Sequence, residues 1–161
     1  YRRSRILAFL NPWLDPKGSG FQIIQSQIAL GTGGLWGMGL GQGKQKLFYL
    51  PAAHTDFIFS IIGEELGLIG ASLVILLFIF LIASMARIIY RVGDPFGKLI
   101  CVGVFTLVAF SAMVNIGVSI GALPTKGLPL PFVSYGGSSL IFNMIAMGLF
   151  LNVSKTEEVA L

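Results

Sequence analysis

Three long stretches without a single charge constrain this chain more than any other feature: residues 68–86, 99–123 and 128–154 contain no Asp, Glu, Lys or Arg. Each stretch is long enough for the roughly 20 apolar residues that one bilayer crossing demands. Water is therefore not the main solvent of this fold. The whole sequence agrees, with 55% hydrophobic residues, 11% charged residues and a mean hydropathy of +0.84; ordinary soluble domains carry about a quarter charged residues. The expected fold is an all-α integral membrane protein with three transmembrane helices, at about residues 68–88, 99–121 and 131–153, preceded by a long structured loop.

Residues 1–56 are rich in Gly and interrupted by Pro12, Pro16 and Pro51, which suits a loop with short helices better than a lipid-facing span. Phe21, Ile24 and Ile28 recur at helical spacing with Gln22, Gln25 and Ser26 between them. That pattern predicts an amphipathic helix from about Phe21 to Leu30, lying along the membrane surface. From Phe57 the chain turns apolar again. One straight helix from there to Arg91 would be about 50 Å long, against a hydrocarbon core of about 30 Å. A break or a protruding end is required, and Gly63, Gly67 and Gly70 mark its place, since glycine weakens a helix and lets another backbone come close. A short entrance helix followed by a full span is expected.

Arg87, Arg91 and Lys98 surround the turn signal Gly93-Asp94-Pro95, a short basic loop of the kind retained in the cytoplasm. The loop over residues 123–130 then faces outside together with residues 1–56, and Lys155 returns to the cytoplasm. Arg2, Arg3, Arg5, Lys17, Lys44 and Lys46 oppose this orientation, although long loops weigh lightly in the charge rule. The expected division is an extracytoplasmic loop, residues 1–56, and a C-terminal transmembrane region, residues 57–161. The chain opens with Tyr1, Arg2, Arg3, Ser4 and Arg5 and no initiator Met, and is read as beginning mid-protein. A net charge of +4 points to anionic lipid rather than nucleic acid, because the basic residues flank the spans and form no stripe with interleaved aromatics. Cys101 is the single cysteine, so neither an intrachain disulfide nor a multi-cysteine metal site can form, and it reads as a small buried apolar residue.

Three motifs could carry chemistry. The first, GTGGLWGMGLGQGK over residues 31–44, invites comparison with a phosphate-binding loop but fails on spacing: Met38 stands five before Gly43, and Gln45 stands where Ser or Thr would bind magnesium. A tightly turned loop with close backbone contacts is the better reading, with Lys44 and Lys46 free to hold a lipid head group. The second, PAAHTDFIF over residues 51–59, sets Asp56 at the mouth of an apolar helix, just after His54 and Thr55. A carboxylate there can be a mere cap, but an ionisable group at the edge of hydrocarbon is costly and marks a functional site by default. Glu64 and Glu65 repeat the theme two turns deeper, where interfacial anchoring explains them equally well, and His54 can serve simply as a donor to the loop backbone. The third, LPTKGLPLPFVSYGGSS over residues 123–139, is stiffened by Pro124, Pro129 and Pro131. It carries Lys126 and enters the last span through the small and polar residues Ser134, Tyr135, Gly136, Gly137, Ser138 and Ser139. Such patches, like the Gly117 to Gly121 spacing, usually mark close helix packing, and they also suit a hydrated cavity. Asn115 and Asn143, inside apolar runs, are expected to hydrogen-bond between helices.

In this order, NPWLDPKGSGFQIIQS (residues 11–26), GQGKQKLFYLPAAHTDFIFSIIGEELG (residues 41–67) and LPTKGLPLPFVSYGGSS resemble the SEDS family of bacterial cytoplasmic-membrane proteins, and its FtsW and SpoVE branch more than RodA. The resemblance covers nearly the whole chain. It implies the last part of a ten-span fold, and a peptidoglycan glycosyltransferase that polymerises lipid II in cell division or sporulation alongside a class B penicillin-binding protein and other division proteins. A lipid II flippase and a non-catalytic scaffold of the division machinery are the alternatives. The family's essential aspartate falls on Asp56 as the catalytic residue. Lys44, Lys46, His54, Thr55, Glu64, Lys126, Ser134, Tyr135, Gly136, Gly137 and Ser138 are the implied substrate-binding set. Ala52 and Phe48 stand where relatives often carry acids, which leaves Asp56 more alone. No cofactor is firmly implied; a divalent cation such as Mg or Mn is an alternative to the lysines as the source of positive charge.

Overall fold

The computed structural model describes residues 9, 11–14, 16, 20–43, 56–125 and 127–159. Among these are a 3-10 turn at Pro12–Leu14 and four longer helices, α1 (Phe21–Gly33), α2 (Ile58–Arg91), α3 (Pro95–Ser119) and α4 (Gly137–Val159), with no strand. Among the described residues three helices are long and apolar enough to cross a membrane: Ile58–Arg91, Pro95–Ser119 and Gly137–Lys155. The expected all-α membrane fold with three spans is the fold observed. α1 packs on the first part of α2, α2 on α3, and α3 on α4.

α2 is broken where the glycines stand. Gly67 has φ 67° and ψ −166°, a conformation open essentially to glycine alone. An unbroken helix would pair the Glu64 and Glu65 carbonyls with the amides of Leu68 and Ile69. Here the Gly-rich segment after α1 takes both sides of that exchange. Met38 N donates to Glu64 O at 3.0 Å and Gly39 N to Glu65 O at 3.0 Å, while Leu68 N donates to Gly34 O at 2.9 Å and Ile69 N to Leu35 O at 3.4 Å. Backbone groups released from a helix need other partners, and this loop supplies them. The approach requires glycine on both sides: a Cβ on Gly33 would collide with the Gly63 carbonyl, one on Gly37 with the Glu65 carbonyl, and one on Gly67 with the Gly37 amide and the Leu35 carbonyl. The stretch that superficially resembles a phosphate loop is a backbone plug for a broken helix.

α1 runs three residues beyond its expected end and departs from the expected amphipathic pattern. Ile23, Ile24, Ser26, Ala29 and Gly33 face inward, so Ser26, assigned to the polar face, is buried, whereas Ile28 is exposed. The helix packs on protein along α2 and α3 rather than resting on lipid alone.

α3 starts on an Asp94 cap, whose carboxylate accepts from Gly97 N at 2.6 Å, followed by Pro95 in the first turn. It ends in a Schellman turn: Gly121 has φ 76°, its amide donates to Val118 O at 3.0 Å, and Ala122 N donates to Gly117 O at 2.7 Å. Leu123 then lies over Gly117, within 2.8 Å of where a Cβ would stand. The Gly117 to Gly121 spacing thus serves a helix end, and Gly121 also lies against the Gln27 side chain of α1. α4 begins at Gly137 rather than near residue 131. The reason is a turn in which Ser134 N donates to Leu130 O at 3.0 Å and Leu130 N donates to Ser134 Oγ at 2.8 Å, with Phe132 held at φ 63°; Pro129 and Pro131 disfavour helix there.

Apolar side chains fill the seams between the spans. Met85, Val92, Cys101, Val104, Val108 and Phe150 form one cluster, Phe78, Ala112 and Leu130 a second, and Phe57, Ile61, Val114 and Val118 a third. Cys101 is fully buried, as expected.

Replacing Gly67 with Ala should force a Cβ into the plug from a backbone conformation that L-residues avoid. The expected loss of stability is on the order of 3 kcal/mol or more, read as a lower thermal midpoint of the detergent-solubilised protein. Ala at Gly103, where a Cβ meets nothing within 4 Å, should change it little.

Candidate functional site

Asp56 lies one residue before the Phe57 N-cap of α2 and is half-buried. Phe57, beside it, is one of the most buried residues of the chain and anchors the segment among Ile61, Val114 and Val118, with Leu123 and Leu128 packed against them. The loop after α3 is thereby brought to the start of α2. A Cβ on Gly127 would stand 3.2 Å from Asp56 Oδ2, so the carboxylate occupies space that any other residue at 127 would contest.

Asn115 ties these two segments together. It is 1% exposed, and its amide nitrogen donates to Asp56 O at 2.9 Å and to Leu128 O at 2.8 Å. The expectation was a hydrogen bond between helices; the observed partners are loop carbonyls at the ends of α2 and α3. With Lys98 at one membrane interface, Asn115 lies about 25 Å further along α3 at 1.5 Å per residue. The hydrocarbon core is about 30 Å thick. Asp56 therefore sits near the opposite edge of that layer, where water and lipid head groups meet.

A buried hydroxyl chain ties this corner to α1. Ser119 Oγ donates to Asn115 O at 2.9 Å, and Ser26 Oγ donates to Ser119 O at 2.7 Å. Ser26 and Ser60 Oγ atoms are 2.6 Å apart. A hydroxyl has one proton, and that of Ser26 is committed to Ser119, so Ser60 is the donor in this pair. All three serines are fully buried. They join α1, α2 and α3 through groups that hydrocarbon would otherwise leave unsatisfied. Nothing in the linear sequence paired them, because their hydrophobic surroundings outweigh a lone Ser in any periodicity.

The remaining candidates divide. Glu64 is 1% exposed and lies against the end of the plug, its Oε2 2.9 Å from where a Gly43 Cβ would stand. It is on the order of 12 Å along the helix from Asp56, and the two carboxylates are not brought together. Ser134 is engaged in holding the turn before α4. Tyr135 is 80% exposed, Gly137 and Ser138 are exposed, and Gly136 is half-buried, its carbonyl accepting from Leu140 N at 2.9 Å to open the helix. Lys44, Lys46, His54, Thr55 and Lys126 lie outside the described residues. Among the described residues no group of three or more His, Cys, Asp or Glu side chains is placed to hold a metal ion. An apolar groove of ≈ 410 Å³ beside the helix break, lined by Leu30, Leu35, Phe59, Leu68, Ala71 and Ile75 among others, does not include Asp56.

A family model described as the FtsW, RodA and SpoVE cell cycle protein matches residues 1–159. The chain is 58% identical over 154 residues to a probable peptidoglycan glycosyltransferase FtsW of Geobacter metallireducens, covering 96% of this chain and 41% of that protein. It is 54% identical over 155 residues to the stage V sporulation protein E of Bacillus subtilis, covering 96% and 42%. A solved chain from work on structural coordination of polymerization and crosslinking by a peptidoglycan synthase complex superposes with a TM-score of 0.75 at 31% identity, over 98% of this chain and 42% of that one. The chain thus spans about two-fifths of the length of the relatives it matches.

Truncating Ser26 to Ala should leave the Ser119 carbonyl without its donor. A loss of about 1–3 kcal/mol is expected, measured as a fall in the thermal midpoint in detergent; an unchanged midpoint would remove the hydroxyl chain from the account of stability.

Proposed function

We infer, because this chain belongs to the FtsW, RodA and SpoVE family of cell cycle proteins, that it contributes the general base of a peptidoglycan glycosyltransferase in the bacterial cytoplasmic membrane. The substrate is lipid II, polymerised into glycan strands during cell division or sporulation. The observation that carries the reading is the Asp56 carboxylate, held against Gly127 near one edge of the hydrocarbon layer, with Lys126 next in sequence.

One carboxylate suits this chemistry. A glycoside hydrolase needs a second carboxyl group because its sugar leaving group is poor, whereas the donor sugar here carries a lipid diphosphate that is already a good leaving group. Asp56 accepts the proton of the acceptor sugar's 4-hydroxyl as its oxygen forms a bond to the anomeric carbon of the donor. The bond from that carbon to the diphosphate oxygen breaks, and the lipid diphosphate carries the electron pair away. Direct displacement turns the α-linked donor into a β-linked product, which makes the enzyme inverting. Negative charge growing on the diphosphate is met by Lys126 first, then by Lys44 and Lys46; a divalent cation such as Mg or Mn, if bound, would supply the same positive charge. The other candidates for holding lipid II are His54, Thr55, Tyr135, Gly136, Gly137 and Ser138, whereas Glu64 is buried against the plug and Ser134 holds the turn before α4.

Both sugars and the diphosphate sit at the outer surface in this reading. Residues 1–56 and 123–130 are then extracytoplasmic, with the basic turn at Arg91–Lys98 inside, as the charge rule favours. A class B penicillin-binding protein is the partner this reading requires, a pairing supported by the peptidoglycan synthase complex from which the similar solved chain comes.

In the full-length protein, Asp56→Asn should lower glycan polymer formed from purified lipid II by 10²-fold or more, in the range of a lost general base, with the thermal midpoint unchanged. Normal polymer yield would end the assignment.

A further inference from the structure

We propose that Asn115 is a positioning residue for the Asp56 carboxylate, an inference that rests on the reading of Asp56 as the base. Two segments far apart in sequence make the site, one ahead of α2 and one after α3. Asn115 bonds the main chain of both with a single amide nitrogen. Fixing the Asp56 carbonyl fixes the peptide plane that follows its Cα, and with it the direction in which the side chain leaves the backbone. Fixing the Leu128 carbonyl holds the chain next to Gly127, the residue over which the Asp56 carboxylate lies. Both halves of that contact are set by one side chain.

The orientation of the amide follows from its partners. Turned over, it would present an oxygen to two carbonyl oxygens. In the orientation observed, the Asn115 Oδ1 atom is buried with no hydrogen-bond partner among the described residues. The Asn115 main chain is itself held, since its carbonyl accepts from Ser119 Oγ within the Ser26 and Ser60 chain. The clamp is therefore rigid where it meets the loops, and a displacement of about 1 Å at a reacting group can cost 10²-fold in rate.

The test compares Asn115→Ala with Asn143→Ala, a matched loss of a buried amide in α4, where Asn143 bonds Ser139 Oγ at 3.4 Å and no other group among the described residues. Both are made in the full-length protein, alongside Asp56→Asn, and assayed with purified lipid II. Asn115→Ala should lower kcat roughly 30- to 100-fold with KM within about threefold of the parent. Asn143→Ala should lower the thermal midpoint comparably while kcat stays within about threefold. If Asn115→Ala keeps its kcat, loses activity only through KM, or falls no further than Asn143→Ala while Asp56→Asn is inactive, the positioning role is overturned and the base assignment stands. Should Asp56→Asn polymerise normally, the base assignment falls and the role of Asn115 falls with it.

Discussion

The exchange of four backbone hydrogen bonds at the Gly67 break is the interaction on which the rest of the structure depends. A helix that stops and restarts leaves carbonyls and amides without their helical partners. The loop after α1 supplies matching groups in both directions, so the break is closed by protein. Glycine is required on each side because the two backbones are nearly in contact. Once made, the plug docks α1 on the upper part of α2 and frees the segment 58–66 to take a different direction from the span below it.

That freedom decides where Asp56 comes to rest. A straight α2 would carry its N-terminus well past the hydrocarbon boundary. With the break, the short upper segment instead packs Phe57 and Ile61 on Val114 and Val118 of α3, which delivers Asp56 to Asn115 and to the loop at Gly127. The polar groups at this corner are few, and each is tied to the next: Ser60, Ser26, Ser119, Asn115, then the Asp56 and Leu128 carbonyls. In an apolar medium such a chain is worth most when complete, since one missing partner leaves a group desolvated for nothing. Asp56, whose carbonyl ends this chain, is half-buried.

Much of this was legible in the sequence. Absence of charge marked the three spans, the mismatch between helix length and membrane thickness demanded a break, and the glycines around residue 67 located it. Asp56 stood out as an acid at the edge of hydrocarbon. Other features were hidden because their causes are tertiary. The periodicity of α1 put Ser26 on the polar face, and only the burial of that face against α2 and α3 turns it inward. Gly117 and Gly121 have the spacing of a helix seam, and a Schellman turn uses the same spacing. The start of α4 was displaced by the turn between Leu130 and Ser134, whose side-chain bond no local propensity announces. The Asp56 to Gly127 contact joins residues separated by two membrane crossings, a distance that hydrophobic patterning does not measure.

The sidedness of Asp56 is the most direct measure of whether this corner can work on an extracytoplasmic sugar. In the full-length protein, with cysteines elsewhere removed and Asp56→Cys introduced, intact spheroplasts treated with a membrane-impermeant methanethiosulfonate reagent should be modified at position 56. Modification only after the inner face is opened, with none from outside, would contradict the account.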